Sequence, residues 1–418
     1  MARGDPEPLG SEKIRQFLFE RKEKVSDKDY APLSVTKQGI FPQLENVAKT
    51  NDGDNRKLVK EGDFVINSRS DRKGSSGVSG LDGSVSLINI VLQPRKVLFG
   101  PFCNYLLKSY GFIEENYRNG RGIVADLWTT RYDEMKMIKV AMPSFEEQKN
   151  ISSYLDAATS KIDKAIAMQQ KMIDLLNERK QIIIQNAVTK GLDENVEMKD
   201  SGVEWIGMIP KHWEIEPFGK HFTFGKGLPI TKANLQEEGV AVISYGQVHA
   251  KYNLGTTLTE TLVRYVSPKY LETHPQCLLN KNDFIFADTS EDVEGSGNFA
   301  FNDYKDKIFA GYHTVVARPK DLIYPKYYAY LFKSRAWKSQ IQSLVNGVKV
   351  YSIGKRILKT STLLIPSESE QKEIVKVLDL KTAAIEKSIE NISHQIALLQ
   401  ERKQIIINEV VTGKVKVS

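Results

Sequence analysis

The sequence has few of the residues and patterns on which most function classes depend. Only two of its 418 residues are cysteines, Cys103 and Cys277, and neither lies in a CxxC motif. This argues against a disulfide framework and a cysteine zinc site, so we expect both thiols to be reduced and buried. No apolar run approaches the roughly 20 residues of a membrane span, and the first residues lack the layout of a secretion signal. These absences predict a cytoplasmic protein with no membrane partner.

Catalytic signatures are also missing or incomplete. The six histidines form no HExxH motif and no pair at i, i+4, and no Asn-Pro-Pro-aromatic motif of an adenine methyltransferase occurs. A Gly-x-Gly-x-x-Ala sequence begins at Gly120, but no strong strand precedes it, which favours a turn. Gly354-Lys355 resembles the end of a phosphate loop, yet Arg356 stands where Ser or Thr must ligate magnesium. We predict no catalytic residue and no metal site.

Two E-x-K sequences are the remaining candidates for chemistry. Glu147 with Lys149, and Glu370 with Lys372, have the spacing of a nuclease metal site. Each glutamate also lies three residues after a serine, as in the S-x-x-E capping box at the start of a helix. The capping interpretation is favoured. A nuclease remains an alternative, which metal-dependent cleavage by the isolated chain would support.

The composition is that of an ordinary globular protein with a moderate positive charge. Apolar residues make up 41% and charged residues 27%, and the net charge is +7 with a pI near 9.0. Nucleic acid is therefore a reasonable partner to test, although this charge alone does not decide it.

The clearest positive feature is an internal repeat. Residues 143–189 align with residues 366–412 without a gap, at an offset of 223, and 24 of the 47 positions are identical. Because the offset is about half the chain, the period is one half of the protein, not a short solenoid module. We therefore expect two similar halves, each ending in this segment.

Each repeated segment is predicted to be a long helix with a coiled-coil seam. Apolar residues recur in alternating steps of four and three, the 3.5-residue period of such a seam. The predicted pairing positions are Ile162, Ile166, Ile173, Leu176 and Ile183 in the first copy and Ile385, Ile389, Ile396, Leu399 and Ile406 in the second. A helix this long with a narrow seam needs a partner, and the simplest one is the other copy, packed antiparallel if a pseudo-twofold axis relates the halves. The alternative is two core helices of unrelated domains.

The remaining sequence divides into two globular regions of α+β or mixed α/β type. Each combines short strand-like runs, turn signals and some helical segments. The predicted boundaries are 1–142 for the first globular region, 143–190 for the central helix, 191–208 for a crossing linker, 209–365 for the second globular region and 366–414 for the C-terminal helix. GDFVINSRSDRKGSSGVSG (62–80) and NDFIFADTSEDVEGSGN (282–298) occupy corresponding places, so the duplication extends weakly into both regions.

Both globular regions carry basic residues interleaved with small, polar and aromatic ones. Such residues can neutralise phosphates or pair with base edges. The candidate DNA-binding residues are Asn67, Ser68, Arg69, Arg72, Lys73, Arg118 and Arg121 in the first region and Gln247, Lys251, His313, Lys349, Tyr351, Lys355 and Arg356 in the second. A solvated surface loop is the commoner explanation for any one of these groups. Two such groups on one repeated scaffold are stronger evidence for DNA binding than either group alone.

This layout resembles the specificity subunit of type I restriction-modification systems. The matching text is PSFEEQKNISSYLD and PSESEQKEIVKVLD at the helix starts, LLNERKQIII and LLQERKQIII farther on, and SGVEWIGMIPKHWEI before the second region. The resemblance covers nearly the whole chain. It implies two mixed α/β target-recognition domains separated by two long conserved helices, which form an intramolecular antiparallel coiled coil with pseudo-twofold symmetry.

The resemblance also implies a function and partners. Each target-recognition domain reads one half of a bipartite double-stranded DNA target, and the helices set the unread spacer and dock two methyltransferase (modification) subunits. The chain itself is expected to be non-catalytic and to bind no cofactor; S-adenosylmethionine, ATP and Mg are expected on the methyltransferase and the restriction/translocase subunits.

Two departures and one competing hypothesis stand beside this expectation. The first half has no counterpart of GVEWIGMIPKHWEI, so the opening strand of the first domain is not defined by sequence. The loop from Asp288 to Gly297 is acidic where the first domain's loop is basic, and we assign it no DNA role. The competing hypothesis is a coiled-coil assembly scaffold that does not read DNA.

Overall fold

The computed structural model describes residues 11–43, 53–122, 128–320, 324–347 and 350–417. The chain forms two compact units. Unit 1 comprises Met1–Lys171 and Ile392–Ser418, and unit 2 comprises Met172–Asn391. In the described ranges, no helix combines the length and apolarity that crossing a bilayer requires. Cys103 and Cys277 are buried and unpaired, as predicted.

In its described residues, unit 1 combines short strands with three short helices and parts of two long ones. Its strands are β1 (Ser11–Lys13), β2 (Leu18–Glu20), β3 (Lys24–Val25), β4 (Leu33–Val35), β5 (Ile40–Pro42), β6 (Arg56–Val59), β7 (Phe64–Asn67), β8 (Ser76–Val78), β9 (Gly83–Val85), β10 (Asn89–Pro94) and β11 (Lys139–Ala141). Its short helices are α1 (Gly100–Leu107), α2 (Tyr110–Arg118) and α3 (Tyr132–Met135), and the first long helix, α4 (Phe145–Lys190), begins here.

Unit 2 has the same kinds of elements. Its strands are β12 (Met198–Asp200), β13 (Met208–Pro210), β14 (Glu214–Pro217), β15 (Phe222–Lys226), β16 (Val240–Ile243), β17 (Arg264–Val266), β18 (Phe284–Ala287), β19 (Thr289–Ser290), β20 (Phe299–Phe301), β21 (Ile308–Ala310), β22 (Thr314–Pro319), β23 (Tyr351–Ser352) and β24 (Thr362–Ile365). Its helices are α5 (Phe218–His221), α6 (Tyr245–Val248), α7 (Tyr270–Thr273), α8 (Pro325–Lys333), α9 (Arg335–Gln342) and α10 (Lys355–Thr360), and the second long helix, α11 (Glu368–Val411), begins here.

Each unit contains an equivalent four-stranded antiparallel sheet. The strand order is β2-β10-β7-β8 in unit 1 and β15-β22-β18-β20 in unit 2. The central strands β7 (FVIN) and β18 (FIFA) are almost completely buried, because both of their faces pack against apolar side chains. A buried aspartate precedes each of them and binds an arginine: Asp63 accepts from Arg21 at 2.7 Å, and Asp283 accepts from Arg318 at 3.2 Å.

A two-stranded ladder leads into the long helix of each unit. β1 pairs antiparallel with β11 in unit 1, and β14 pairs antiparallel with β24 in unit 2. β11 and β24 lie 223 positions apart, immediately before the two long helices. β1 is therefore the counterpart of β14 in unit 1, which the divergent N-terminal sequence did not define.

Both long helices begin at the capping boxes predicted from the sequence. The Ser144 amide and hydroxyl donate to Glu147 at 2.9 and 2.8 Å, and the Glu147 amide donates back to Ser144 Oγ at 3.3 Å. Ser367 and Glu370 make the same three bonds. Both helices end beside a glycine with a left-handed φ, Gly191 (+75°) and Gly413 (+76°), a conformation that side chains with a Cβ rarely adopt.

The two long helices run antiparallel within each unit. In unit 1, Lys403 Nζ lies 2.7 Å from Asp163, and Gln169 Nε2 donates to Gln395 at 2.9 Å. In unit 2, Lys180 Nζ lies 3.6 Å from Glu386. Asp163 and Glu386 are equivalent at the 223-residue offset, and so are Lys180 and Lys403. The same cross-helix ion pair therefore occurs twice: its acidic residue lies on α4 in unit 1 and on α11 in unit 2.

The predicted pairing positions lie on the less exposed side of these helices. Ile162 and Ile385 are buried, at 9% exposure each. The other eight are half-buried: Ile166, Ile173, Leu176, Ile183, Ile389, Ile396, Leu399 and Ile406. By contrast, Met168 is 72% exposed and Leu175 is 50% exposed. The fold expected from the sequence is confirmed in its mixed helix and strand content and in the packing of α4 with α11.

The ends of the long helices join the globular core of each unit. In unit 1, Ile151 and Leu155 of α4 and Val411 of α11 are buried with Phe102 and Phe112 from the α1–α2 pair. In unit 2, the equivalent Ile374, Leu378 and Val188 are buried with Tyr327 and Trp337 from the α8–α9 pair. The helices and the globular parts of each unit therefore share one hydrophobic core.

Candidate nucleic-acid interface

In unit 1, three chain segments meet where β7 ends. The Ser68 amide and hydroxyl donate to the Ile88 carbonyl, at 3.3 and 2.5 Å. On the other side, the Thr130 amide donates to the Ser68 carbonyl at 3.0 Å, and Thr129 and Arg121 exchange backbone bonds at 2.9 and 3.0 Å. This ladder brings Arg121 close to the consecutive candidates Asn67, Ser68 and Arg69, from which it is distant in sequence.

Each basic candidate of unit 1 lies near a carboxylate. The Asp71 carboxylate lies 3.4 Å from Arg69 Nε and 3.6 Å from Arg72 Nε. Lys73 Nζ lies 2.7 Å from the Glu114 carboxylate. Arg118 Nη1 lies 3.2 Å from Glu115, and Arg121 Nε lies 3.5 Å from Glu134. Arg118 and Arg121 are 76% and 83% exposed at the side chain, and exposed ion pairs contribute little energy. These cations can therefore exchange a carboxylate for a phosphate at low cost.

Lys73 and two aromatic residues line a small depression beside these cations. The Lys73 ammonium lies 4.2 Å from the centre of the Tyr117 ring, and the rings of Tyr117 and Trp128 meet edge to face at 5.0 Å. The buried Trp128 Nε1 has no hydrogen-bond partner among the described residues. Sequence reasoning missed Trp128, because a single tryptophan within an irregular segment gives no periodic signal.

In unit 2, the segment after β18 lines a cavity of about 570 Å³. This segment corresponds to the basic loop of unit 1 but is acidic. The cavity is lined by Tyr245, Gly246, His249, Thr289, Ser290, Glu291, Asp292, Glu294, Gly295, Asn298, His313 and Val350. Of the sequence-predicted residues only His313 is among them, with Nδ1 3.3 Å from Asp288 and the residue in a left-handed conformation (φ +53°).

The other candidates of unit 2 are spread over several elements. Tyr351 in β23 pairs with Ser290 of β19 and so lies next to the cavity. The Gln247 side chain accepts from the Ser244 amide at 3.1 Å and is occupied in capping α6. Lys251 is exposed shortly after α6. Lys355 and Arg356 form the first turn of α10. Lys349 lies outside the described residues.

A half-buried hydrogen-bond chain positions the acidic segment. Lys338 Nζ donates to Asn298 Oδ1 at 2.5 Å, Asn298 Nδ2 lies 3.1 Å from His249 Nδ1, and His249 Nε2 lies 2.8 Å from the Thr289 carbonyl. Burial lowers the pKa of Lys338. Because Asn298 Oδ1 accepts from Lys338, the Asn298 amide nitrogen donates to His249 Nδ1, and His249 Nε2 donates to the Thr289 carbonyl. The hydrogen bonds of His249 give no signal in the neighbouring sequence, because its partners lie 40 or more residues away.

The motifs considered for catalysis have structural roles. Glu147 and Glu370 make the capping bonds described above, while Lys149 and Lys372 pair with Glu146 and Glu368 of the same helices. The described residues contain no group of three or more His, Cys, Asp or Glu side chains that could hold a metal ion. Gly120 lies in the turn after α2 and Gly354 caps α10; Ala125 lies outside the described residues.

Comparisons with known proteins agree with the resemblance seen in the sequence. Residues 210–394 match the family model of the type I restriction modification DNA specificity domain. The chain is 26% identical over 282 residues to the type I restriction enzyme MjaVIII specificity subunit of Methanocaldococcus jannaschii, covering 67% of this chain and 63% of that protein. It is 23% identical over 210 residues to the EcoKI specificity subunit of Escherichia coli, covering 50% and 44%.

The fold comparison extends over the full chain. A chain solved in a study of complex assembly and conformational transition of the type I R-M system superposes with a TM-score of 0.69, covering 99% of this chain and 100% of that chain at 14% identity. The resemblance to type I specificity subunits is therefore confirmed, and the matches to the curated relatives span less than two thirds of their length.

Proposed function

We propose that this chain, which resembles the type I specificity subunits, is the non-catalytic DNA-recognition subunit of a type I restriction-modification complex. The observation that carries the proposal is the duplication of one unit: the same capped helix starts, the same cross-helix ion pair and the same four-stranded sheet occur twice. A protein with two similar units suits a bipartite DNA target, as symmetric dimers suit two half-sites. The complex acts in the cytoplasm, where the chain meets double-stranded DNA.

Each unit reads one half of the target. In unit 1 the cations at the end of β7 contact DNA, with Arg69 and Arg121 central and Arg72, Lys73 and Arg118 at the sides. In unit 2 the contacts come from the residues around His313 and Tyr351 and from the start of α10, with Lys251 and Lys349 adding charge. Arginine and lysine contribute phosphate contacts and guanine recognition. The two long helices set the spacer between the half-sites.

The chain also docks two modification subunits, one for each helical repeat. Exposed apolar residues occur at equivalent positions of the long helices: Leu175 and Leu398 are each 50% exposed, and Ile182 and Ile405 are 53% and 47% exposed. Apolar side chains repeated in this way on helix surfaces suit two identical partners. The modification subunits supply S-adenosylmethionine chemistry, and the restriction/translocase subunits supply ATP and Mg chemistry.

The decisive experiment exchanges residues 1–142 for the equivalent region of another such subunit. Methylome sequencing of a host that carries the chain with its partner subunits should show a change in one half of the methylated sequence only. A change in both halves, or in neither, contradicts the proposal. A host with a catalytically inactive modification subunit is the control for background methylation.

A coiled-coil assembly scaffold that does not read DNA is the second candidate. The observation that favours it is the carboxylate beside each basic candidate of unit 1, which lowers the positive charge of that surface. A gel shift with the partner subunits present separates the two functions. A retarded complex that depends on target sequence supports DNA recognition, and no retardation at low salt supports the scaffold.

A further inference from the structure

A short turn in unit 1 exposes two adjacent aliphatic side chains. The turn links β9 to β10 through Ser86, Leu87 and Ile88. Leu87 is 43% exposed and Ile88 is 39% exposed. Single exposed apolar residues are common on protein surfaces, but two in a row on a three-residue link need a reason.

The turn is fixed in place by hydrogen bonds at both ends. The Asn89 side chain donates to Ser86 Oγ at 2.9 Å and to the Ser86 carbonyl at 3.2 Å, and the Asn89 amide donates to the same carbonyl at 3.0 Å. The Ile88 carbonyl accepts both donors of Ser68. A contact made by this turn therefore costs little conformational entropy on binding.

The turn is held beside the cations of unit 1. Ser68, which bonds Ile88, is followed directly by Arg69, and the Arg69 segment bridges to Thr129, which in turn pairs with Arg121. The ladder therefore places the turn, Arg69 and Arg121 on adjacent segments of one edge. Exposed aliphatic carbon on a segment adjacent to two arginine-bearing segments matches a surface that is anionic at its margin and apolar at one point.

Double-stranded DNA provides such a surface in its major groove. The only apolar group among the major-groove base edges is the C5-methyl of thymine, and aliphatic side chains recognise it by contact. We propose that the Leu87-Ile88 turn contacts a thymine methyl group in the half-site read by unit 1, while Arg69 binds next to it. This inference rests on the proposed function and adds a base preference to one half-site.

The equivalent turn of unit 2 has different chemistry. The link between β21 and β22 also has three residues, Gly311, Tyr312 and His313, and lies 225 positions after the first. It presents an aromatic and an imidazole ring, and His313 faces Asp288 at 3.3 Å. The thymine contact is therefore confined to the half-site that changes when residues 1–142 are exchanged.

The test combines base analogues with turn variants in the complex with modification subunits. After methylome sequencing has identified the target, each thymine of the unit 1 half-site is replaced in turn by deoxyuridine, which lacks only the methyl group. One replacement should weaken binding in a gel shift by about three- to tenfold, as expected for the loss of one buried methyl contact. Leu87→Ala/Ile88→Ala should weaken binding to the thymine duplex and should bind both duplexes equally.

Leu81→Ala is the matched control, because Leu81 is 41% exposed and lies at the opposite end of β9. It should bind like wild type and remain sensitive to deoxyuridine. Leu87→Met, which keeps an apolar side chain, should also remain sensitive, and melting temperatures of all variants verify folding.

Several results would overturn the inference and leave the proposed function intact. They are a unit 1 half-site without thymine, deoxyuridine effects of equal size in wild type and the double variant, or an equal loss for Leu81→Ala. A methylome that is unaffected by exchange of residues 1–142 would overturn both.

Discussion

Glu147 and Glu370 occupy equivalent positions but differ in their surroundings. Besides its capping bonds, Glu370 accepts from Trp213 Nε1 at 3.0 Å and lies 2.8 Å from His212 Nε2. Burial alone would raise its pKa, but bonds from Ser367, Trp213 and His212 outweigh this effect and lower the pKa of Glu370 to about 2. Glu147, bonded by Ser144, has a lowered pKa as well. The capping glutamate of unit 2 therefore also accepts a hydrogen bond from a buried tryptophan.

We expect Glu370→Ala to destabilise the protein more than Glu147→Ala. Both variants lose a cap, worth about 1 kcal/mol, but only Glu370→Ala leaves the fully buried Trp213 without its acceptor, which adds about 1 to 3 kcal/mol. Urea unfolding of the two variants measures the difference. Equal losses would contradict the expectation.

The contribution of Glu370 to the free energy of unfolding should also depend on pH. Because the pKa of Glu370 is depressed from 4.5 to about 2, its stabilisation is fully present above pH 4.5 and is lost as the pH falls towards 2. The difference in unfolding free energy between wild type and Glu370→Ala should therefore shrink over that interval. A constant difference would show that the carboxylate charge is not involved.

Arg69 and Arg356 are the residues at which base contacts and phosphate contacts can be told apart. Arg69→Ala or Arg356→Ala should weaken DNA binding by about 1 to 3 kcal/mol if the residue reads a base, and should reduce the salt dependence if it contacts phosphate. Gel shifts at several salt concentrations distinguish these cases. Unchanged binding at every concentration would remove the residue from the interface.

The role of a residue could be predicted from the sequence where it depends on neighbouring positions in the chain. The capping glutamates follow from spacing alone, because each lies three residues after a serine. The hydrogen bonds of His249 could not be predicted, because its partners Thr289 and Asn298 lie 40 and 49 positions away. Long-range packing of this kind leaves no pattern in the neighbouring sequence.

At the scale of elements, the long helices were predictable and the sheets were not. On the buried side of a helix, an apolar residue recurs every three or four positions, so the burial of Ile162 and Ile385 could be predicted from the sequence. The central strands are buried on both faces and have no alternation, and β10 pairs with β2, more than 60 residues earlier in the chain. The order of the sheet therefore depends on contacts that periodicity does not encode.

The helical seam gives a paired prediction. Ile162→Ala and Ile385→Ala should each destabilise the protein by about 2 to 4 kcal/mol, and by similar amounts, because the two positions are equally buried. Met168→Ala, at a position that is 72% exposed, should change stability by less than about 0.5 kcal/mol. Thermal or urea unfolding measures all three. A large effect of Met168→Ala would show that the seam has been assigned to the wrong side.

At the scale of the whole molecule, the proposed spacer function can be tested by lengthening both helices. Seven residues inserted after 171 and again after 394 keep the heptad register and add about 10.5 Å to each helix. At about 3.4 Å per base pair, the tolerated spacer should increase by up to about three base pairs. Methylome sequencing gives the spacer directly, and an unchanged spacer would reject this part of the proposal.

The exchanged ion pair has a consequence for the origin of the protein. Glu386 and Lys403 lie on one helix, and Asp163 and Lys180 lie on the other, so each helix carries both an acid and a base of the repeated pair. A half-length ancestor with one such helix already contains both charges needed to assemble with an identical copy. Tandem gene fusion of that ancestor preserves each ion pair and leaves the two globular parts free to diverge.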